Sequence, residues 1–217
     1  DLIAMAFTLA AILIYKRHHQ FKIISYIFIT MGVQIKLYPL IFILLLFKPT
    51  DNLKKYSTRV ISLIITNIFL FFALGPNKGL HFFKTIFSRM NSDIRFYTEI
   101  NTSLQSYLHI SGDIVLQKFP QLMFLTQLIK YTILIGLIVG FFYLLYRGLK
   151  SQKNIIDPLL IFAATELTLI LPGTSHDYKI SYLAGPIALL IFYLTKIKKN
   201  SILILFAYFL YSSMLLG

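Results

Sequence analysis

Long apolar runs constrain this chain more than any other feature. They lie at roughly 2–15, 23–47, 60–75, 122–146, 158–172, 180–195 and 201–217. A bilayer's hydrocarbon core of about 30 Å takes about 20 apolar residues to cross as a helix, and several of these runs approach or exceed that length. In lipid every backbone N–H and C=O must be satisfied internally, which leaves helices and closed barrels. Barrel strands alternate apolar and polar residues, and these runs do not. The expected fold is therefore all-α, a polytopic transmembrane helical bundle. Composition agrees: charged residues make up 13% of the chain, against about 25% in soluble domains.

The formal net charge is +13, which by itself could point to nucleic acid. Its placement argues otherwise. Of the 21 Lys and Arg, 13 fall in four short stretches, 16–22, 48–59, 147–153 and 196–199. That is the positive-inside pattern, with basic loops beside anionic membrane lipid. No nucleic-acid partner is expected. With 196–199 in the cytoplasm, 173–179 lies outside, 147–157 inside, 77–120 outside and 48–59 inside. The outer loop 77–120 carries five Lys or Arg in 44 residues, so charge and parity agree.

Segment 23–47 breaks the count. As one span it would put 16–22 outside, yet that loop carries Lys16, Arg17 and Lys22. Within the segment stands Lys36-Leu-Tyr-Pro39. A lysine in lipid must be solvated or paired, and a proline removes a helix hydrogen bond. Two readings stay open. In one, 23–35 and 40–47 are short helices of a re-entrant hairpin with 36–39 at its tip, in a water-filled cavity open to the outer face. In the other, 23–47 is a single kinked span with Lys36 near mid-membrane.

The outer loop has structure of its own. Phe83, Ile86, Phe87 and Met90 recur at helical spacing and predict an amphipathic helix in the membrane interface. Leu104, Tyr107 and Leu108 hint at a second short helix. With no repeat or linker in view, residues 1–217 read as one domain. The first residue is Asp1, and both ends lie within apolar segments, so a fragment lacking its N-terminal part is expected. The chain has no Cys, and its five His show no metal-ligand spacing. Gly75-Pro-Asn-Lys-Gly79 lacks the pattern of a phosphate loop.

Candidate chemistry clusters in three outward places: Lys36–Pro39, Asn101-Thr-Ser-Leu104 and Ser175-His-Asp-Tyr-Lys179. Each has an ordinary alternative. Pro39 can simply kink a helix, and Lys36 can snorkel to an interface. Asn101 or Ser103 can cap the helix after it or mark a glycosylation acceptor. The 175–179 group can be a polar turn. Glu166 lies inside an apolar segment and is a functional candidate by that fact, although pairing with Lys130 or a buried hydroxyl is the stronger reading.

Lys-Leu-Tyr-Pro after a short apolar helix, Asn-x-Ser-Leu in a large outer loop and a late His-containing loop before a Pro-bearing span together resemble glycosyltransferase family 87. That family consists of C-type, polytopic enzymes that include polyprenyl-phosphate-mannose-dependent mannosyltransferases. The likeness covers residues 21–190. It implies inverting transfer of a hexose, mannose-like, from a polyprenyl-phosphate sugar to a lipid or glycan acceptor, on the outer side of the cytoplasmic membrane. It implies no cofactor; a divalent metal stays open, with no metal ligands assigned. The leaving phosphate monoester needs cations and donors rather than a strong acid. Lys36 and Lys179 would supply charge, and Tyr38 and Tyr178 hydroxyls. His176, positioned by Asp177, would serve acid–base or phosphate contact. The resemblance puts the main catalytic carboxylate in a first outer loop, upstream of Asp1.

Two other functions compete. A transporter or flippase of lipid-linked saccharides would commonly show paired broken helices, and only one candidate is visible here. A polymerase or ligase using lipid-linked sugars is the other. The upstream sequence discriminates: an Asp or Glu just after a first span favours the transferase.

Overall fold

The computed structural model describes residues 2–48, 51–73, 75–92, 112–115, 117–150, 157–170 and 184–196. The named elements are all helical: α1 (Leu2–Arg17), α2 (Lys22–Ile35), a 3₁₀ helix (Tyr38–Leu45), α3 (Leu53–Phe72), α4 (Pro76–Ser92), α5 (Met123–Lys150), α6 (Pro158–Ile170) and α7 (Ala184–Lys196), with short 3₁₀ turns at His19–Phe21 and Pro120–Leu122. Backbone contacts gather these residues into two compact units, 1–83 with 143–164, and 84–142 with 165–217.

The first unit is built on an antiparallel α1–α2 pair. Buried Ala4, Thr8 and Ala11 on α1 meet buried Ser25, Ile29 and Gly32 on α2. Both sets follow the i, i+4, i+7 spacing of one helix face. Small side chains here let the backbones approach closely. A Cβ on Gly32 would lie 3.0 Å from Thr8 Oγ1 and 3.1 Å from the Ala4 carbonyl oxygen. The Ser25 hydroxyl donates to the Ala11 carbonyl at 2.6 Å, and Phe7 meets Phe28 edge to face at 5.4 Å. Ile12, Val33, Phe42, Ile43 and Leu46 complete the core.

Asn52 starts α3, its side chain accepting the Lys55 N–H at 2.8 Å. Capping by Asn satisfies one of the free amides at a helix start. The helix thus begins seven residues before the apolar run that signals it, and Lys54, Lys55 and Arg59 lie on its first two turns rather than in a loop. Past its end, Gly75 takes φ +112°, a conformation that favours glycine. Pro76 then occupies the first position of α4, where its missing N–H costs nothing.

The amphipathic helix expected around 83–90 is therefore longer, reaching back to Pro76. Phe82 and Phe83 turn onto α3. The rings of Phe71 and Phe82 stack at 4.9 Å, and those of Phe72 and Phe83 at 5.8 Å. The short helix hinted at by Leu104, Tyr107 and Leu108 falls outside the described residues, as does segment 201–217. In the second unit Thr165, Leu167 and Ile187 are buried.

Candidate functional site

The sequence break at 36–39 is a break in the structure. Helix α2 cannot run past Ile35, because Pro39 has no N–H to give and its ring would strike the carbonyl four residues back. Lys36 is extended, at φ −150° and ψ 145°, and its N–H still reaches the Gly32 carbonyl at 3.0 Å. Two residues later the 3₁₀ helix begins, with Pro39 near its start. Eight residues is long for a 3₁₀ helix. Lys36 is exposed, Tyr38 half-buried and Pro39 buried.

A polar bridge steadies this end. Gln34 Nε2 donates to the carbonyl and side-chain oxygens of Asn67 on α3, at 3.1 and 3.2 Å. Asn67 is fully buried and gives its own amide to the Leu63 carbonyl at 2.8 Å. The last turn of α2 is thereby tied to α3 two residues before Lys36.

At its far end the 3₁₀ helix leaves carbonyls without helical partners, and three side chains take them up. Tyr56 Oη donates to the Leu44 carbonyl at 2.9 Å, Arg59 Nη1 to Leu46 at 2.7 Å, and Lys16 Nζ to Phe47 at 2.8 Å. Lys16 Nζ also sits 3.4 Å from the centroid of the Phe47 ring, a cation–π contact. Arg59 forks onto Asp51, with Nη1–Oδ2 at 2.6 Å and Nη2–Oδ1 at 2.9 Å. Asp51 Oδ2 accepts the Lys48 N–H at 2.9 Å. Burial alone would raise the Asp51 pKa; the Arg59 hydrogen bonds and charge, with the Lys48 N–H, outweigh it and hold the carboxyl below its usual range. Positive charge at a helix C-terminus is also favourable. The contact between Lys16 and Phe47 puts the end of α1 and the end of the 3₁₀ helix side by side, so the chain between them goes out and comes back.

Of the residues singled out by sequence, Lys36 and Tyr38 share this reversal. Glu166 sits half-buried on α6, in the second unit. The side chain of Lys130, its suggested partner, lies outside the described residues, and so do Asn101, Ser103, His176, Asp177, Tyr178 and Lys179. Sequence reasoning passed over Gln34 and Asn67, although each is an amide within an apolar run and could have been found on that ground. The capping side chains carry no local signal, since their partners lie 12, 13 and 31 residues away.

Helix α3 and the stretch Pro120–Lys150 are long and apolar enough to cross a membrane, and shorter apolar helices accompany them. Among the described residues, apolar helices of this kind with a charged break inside one apolar run define the class: a helical membrane protein. The sequence profile of glycosyltransferase family 87 matches residues 1–172, and the chain belongs to that family: it is a membrane glycosyltransferase. The match ends ahead of the 175–179 cluster. No curated protein and no solved structure matches the chain.

Proposed function

We propose that this protein transfers a hexose, mannose-like, from a polyprenyl-phosphate sugar to a lipid or glycan acceptor on the extracytoplasmic side of the membrane. Residues 23–47 form a re-entrant hairpin whose tip carries Lys36 and Tyr38 to the donor phosphate. The observation that carries this reading is the reversal itself. Lys36 is exposed at the turn, while Lys16 grips the Phe47 carbonyl where the hairpin closes. Helix α2 has 14 residues and rises about 21 Å, short of the roughly 30 Å of a hydrocarbon core. A polar, broken backbone at that depth needs a water-lined cavity, and a cavity is what a substrate phosphate requires.

In the reaction the bond from the sugar's anomeric carbon to the phosphate oxygen breaks. The polyprenyl phosphate leaves as an anion. The acceptor oxygen bonds to the same carbon from the opposite face, with inversion, and its proton passes to a base. Lys36 and Lys179 stabilise the charge that gathers on the leaving phosphate, and Tyr38 and Tyr178 donate hydrogen bonds to it. His176, held by Asp177, contacts the phosphate or moves the proton. Asn101, Ser103 and Glu166 are further site candidates.

The test supplies membranes carrying the protein with a labelled polyprenyl-phosphate hexose and with lipid and glycan acceptors. Transfer with inverted configuration is expected. No transfer from any of a range of polyprenyl donors, with the labelled lipid instead moving between leaflets, would replace this reading with a flippase.

A further inference from the structure

One feature of the first unit takes no part in the proposed transfer. Beside the Asp51–Arg59 pair lies an open groove of about 670 Å³, with Tyr26 on one wall and Lys54, Lys55, Thr58, Arg59 and Ser62 on the other. These α3 positions lie on one helix face, at spacings of three and four. Among the described residues no carboxylate lines the groove, and neither Lys54 nor Lys55 has an ion-pair partner. Arg59 is committed to Asp51. The groove therefore holds two uncompensated ammonium groups. Both stand in the first turn of α3, which contains no acidic residue. Cations are disfavoured at the positive end of a helix dipole, and an anion there is favoured.

We infer that this groove binds the headgroup of an anionic glycerophospholipid. The ammonium groups take the phosphate, and the hydroxyl of Ser62, hydrogen-bonded to nothing among the described residues, takes a polar headgroup or glycerol oxygen. The length of the groove selects a lipid over a free anion. From Lys54 to Ser62 it follows the helix for about 12 Å, from the basic stretch to the start of the apolar run. A small soluble phosphate would use only the upper end, whereas a phospholipid lies along the whole length with its chains beside the apolar part of α3. The alkyl stems of the lysines and the ring of Tyr26 give its glycerol region an apolar bed. This site is separate from the donor tip and does not depend on which sugar is transferred.

Native mass spectrometry of the purified chain in detergent, supplied with equal phosphatidylglycerol and phosphatidylcholine, reads the site directly. Phosphatidylglycerol should be retained preferentially. A Lys54→Gln/Lys55→Gln variant should lose that preference by about tenfold. Ser62→Phe is the decisive variant, because it keeps every charge and fills the groove: it should lose the preference equally. Wild-type selectivity in Ser62→Phe would reduce the effect to bulk charge and overturn the site. Displacement of the lipid by millimolar inorganic phosphate would make it a free-anion site and overturn the lipid assignment. Equal retention of the two lipids by the wild type would do the same.

Discussion

Lys36 and Asp51 are the two charged residues whose surroundings make the clearest predictions. Lys36 was legible in the sequence, because an ammonium next to a proline in an apolar run demands an explanation that a surface lysine does not. If Lys36 meets the donor phosphate as proposed, replacing it by Ala removes one charge-assisted contact to a partly desolvated anion, worth about 1.5–3 kcal/mol. Turnover should then fall roughly ten- to hundredfold. Lys36→Arg is not expected to restore it, because the guanidinium fork differs in shape from a point charge. Normal transfer by Lys36→Ala would remove it from the mechanism. Asp51 was not legible, since its fork with Arg59 spans eight residues and exists only once α3 has formed. Its folded-state pKa is lowered, so its contribution to stability is complete above the unfolded value of about 3.9 and is lost as pH falls through the folded value. Thermal unfolding followed from pH 7 down to pH 3 should show a decline below about pH 4 that is shallower in Asp51→Asn. An identical acid limb in that variant would separate the pair from stability.

At the scale of elements, the sequence marked helix interiors well and their ends poorly. Apolar runs located α1, α2 and α5, but α3 begins at Leu53 because a single Asn caps it, and a cap outweighs hydropathy at a terminus. The pairing of α1 with α2 was out of reach for a different reason. It rests on Ala4, Thr8, Ala11, Ser25 and Gly32, small residues whose meaning appears only when the two faces meet. Gly32 tests that pairing. A Cβ there falls at 3.0 and 3.1 Å from α1 atoms and 3.6 Å from Pro39 Cβ. Gly32→Ala should be tolerated with a small shift, whereas Gly32→Leu should overpack the contact by about 1–3 kcal/mol. The measured outcome is a lower melting temperature in detergent for the leucine variant. A matching substitution at Gly136, where among the described residues nothing stands within 4 Å of the added Cβ, should leave it unchanged. Equal effects at both positions would mean the close approach does not contribute.

For the whole molecule, charge counting supplied a topology with one contradiction, the basic loop before segment 23–47, and its resolution predicts where the chain can be reached from outside. A single span over 23–47 would separate Gln20 from Asn52 by a membrane. A hairpin keeps them on one side. Distance weighs between the two: 25 helical residues would extend about 37 Å, yet Lys16 Nζ stands 2.8 Å from the Phe47 carbonyl, and Arg59 and Tyr56 hold the neighbouring carbonyls. The two cations among them, Lys16 and Arg59, lie at the end where the positive-inside pattern asks for them. The sequence lacks cysteine, so a single introduced thiol reports without background. Cysteines at Gln20, Tyr38, Asn52 and Asn101, treated on intact cells with an impermeant thiol reagent, should react at Asn101 and Tyr38 and remain silent at Gln20 and Asn52 until the membrane is opened. The Tyr38 thiol is expected to react more slowly than Asn101, since its position is half-buried and reached through a cavity. Reaction at Gln20 from outside would restore the single span, put Lys36 within the membrane interior and remove the route by which a donor phosphate reaches it.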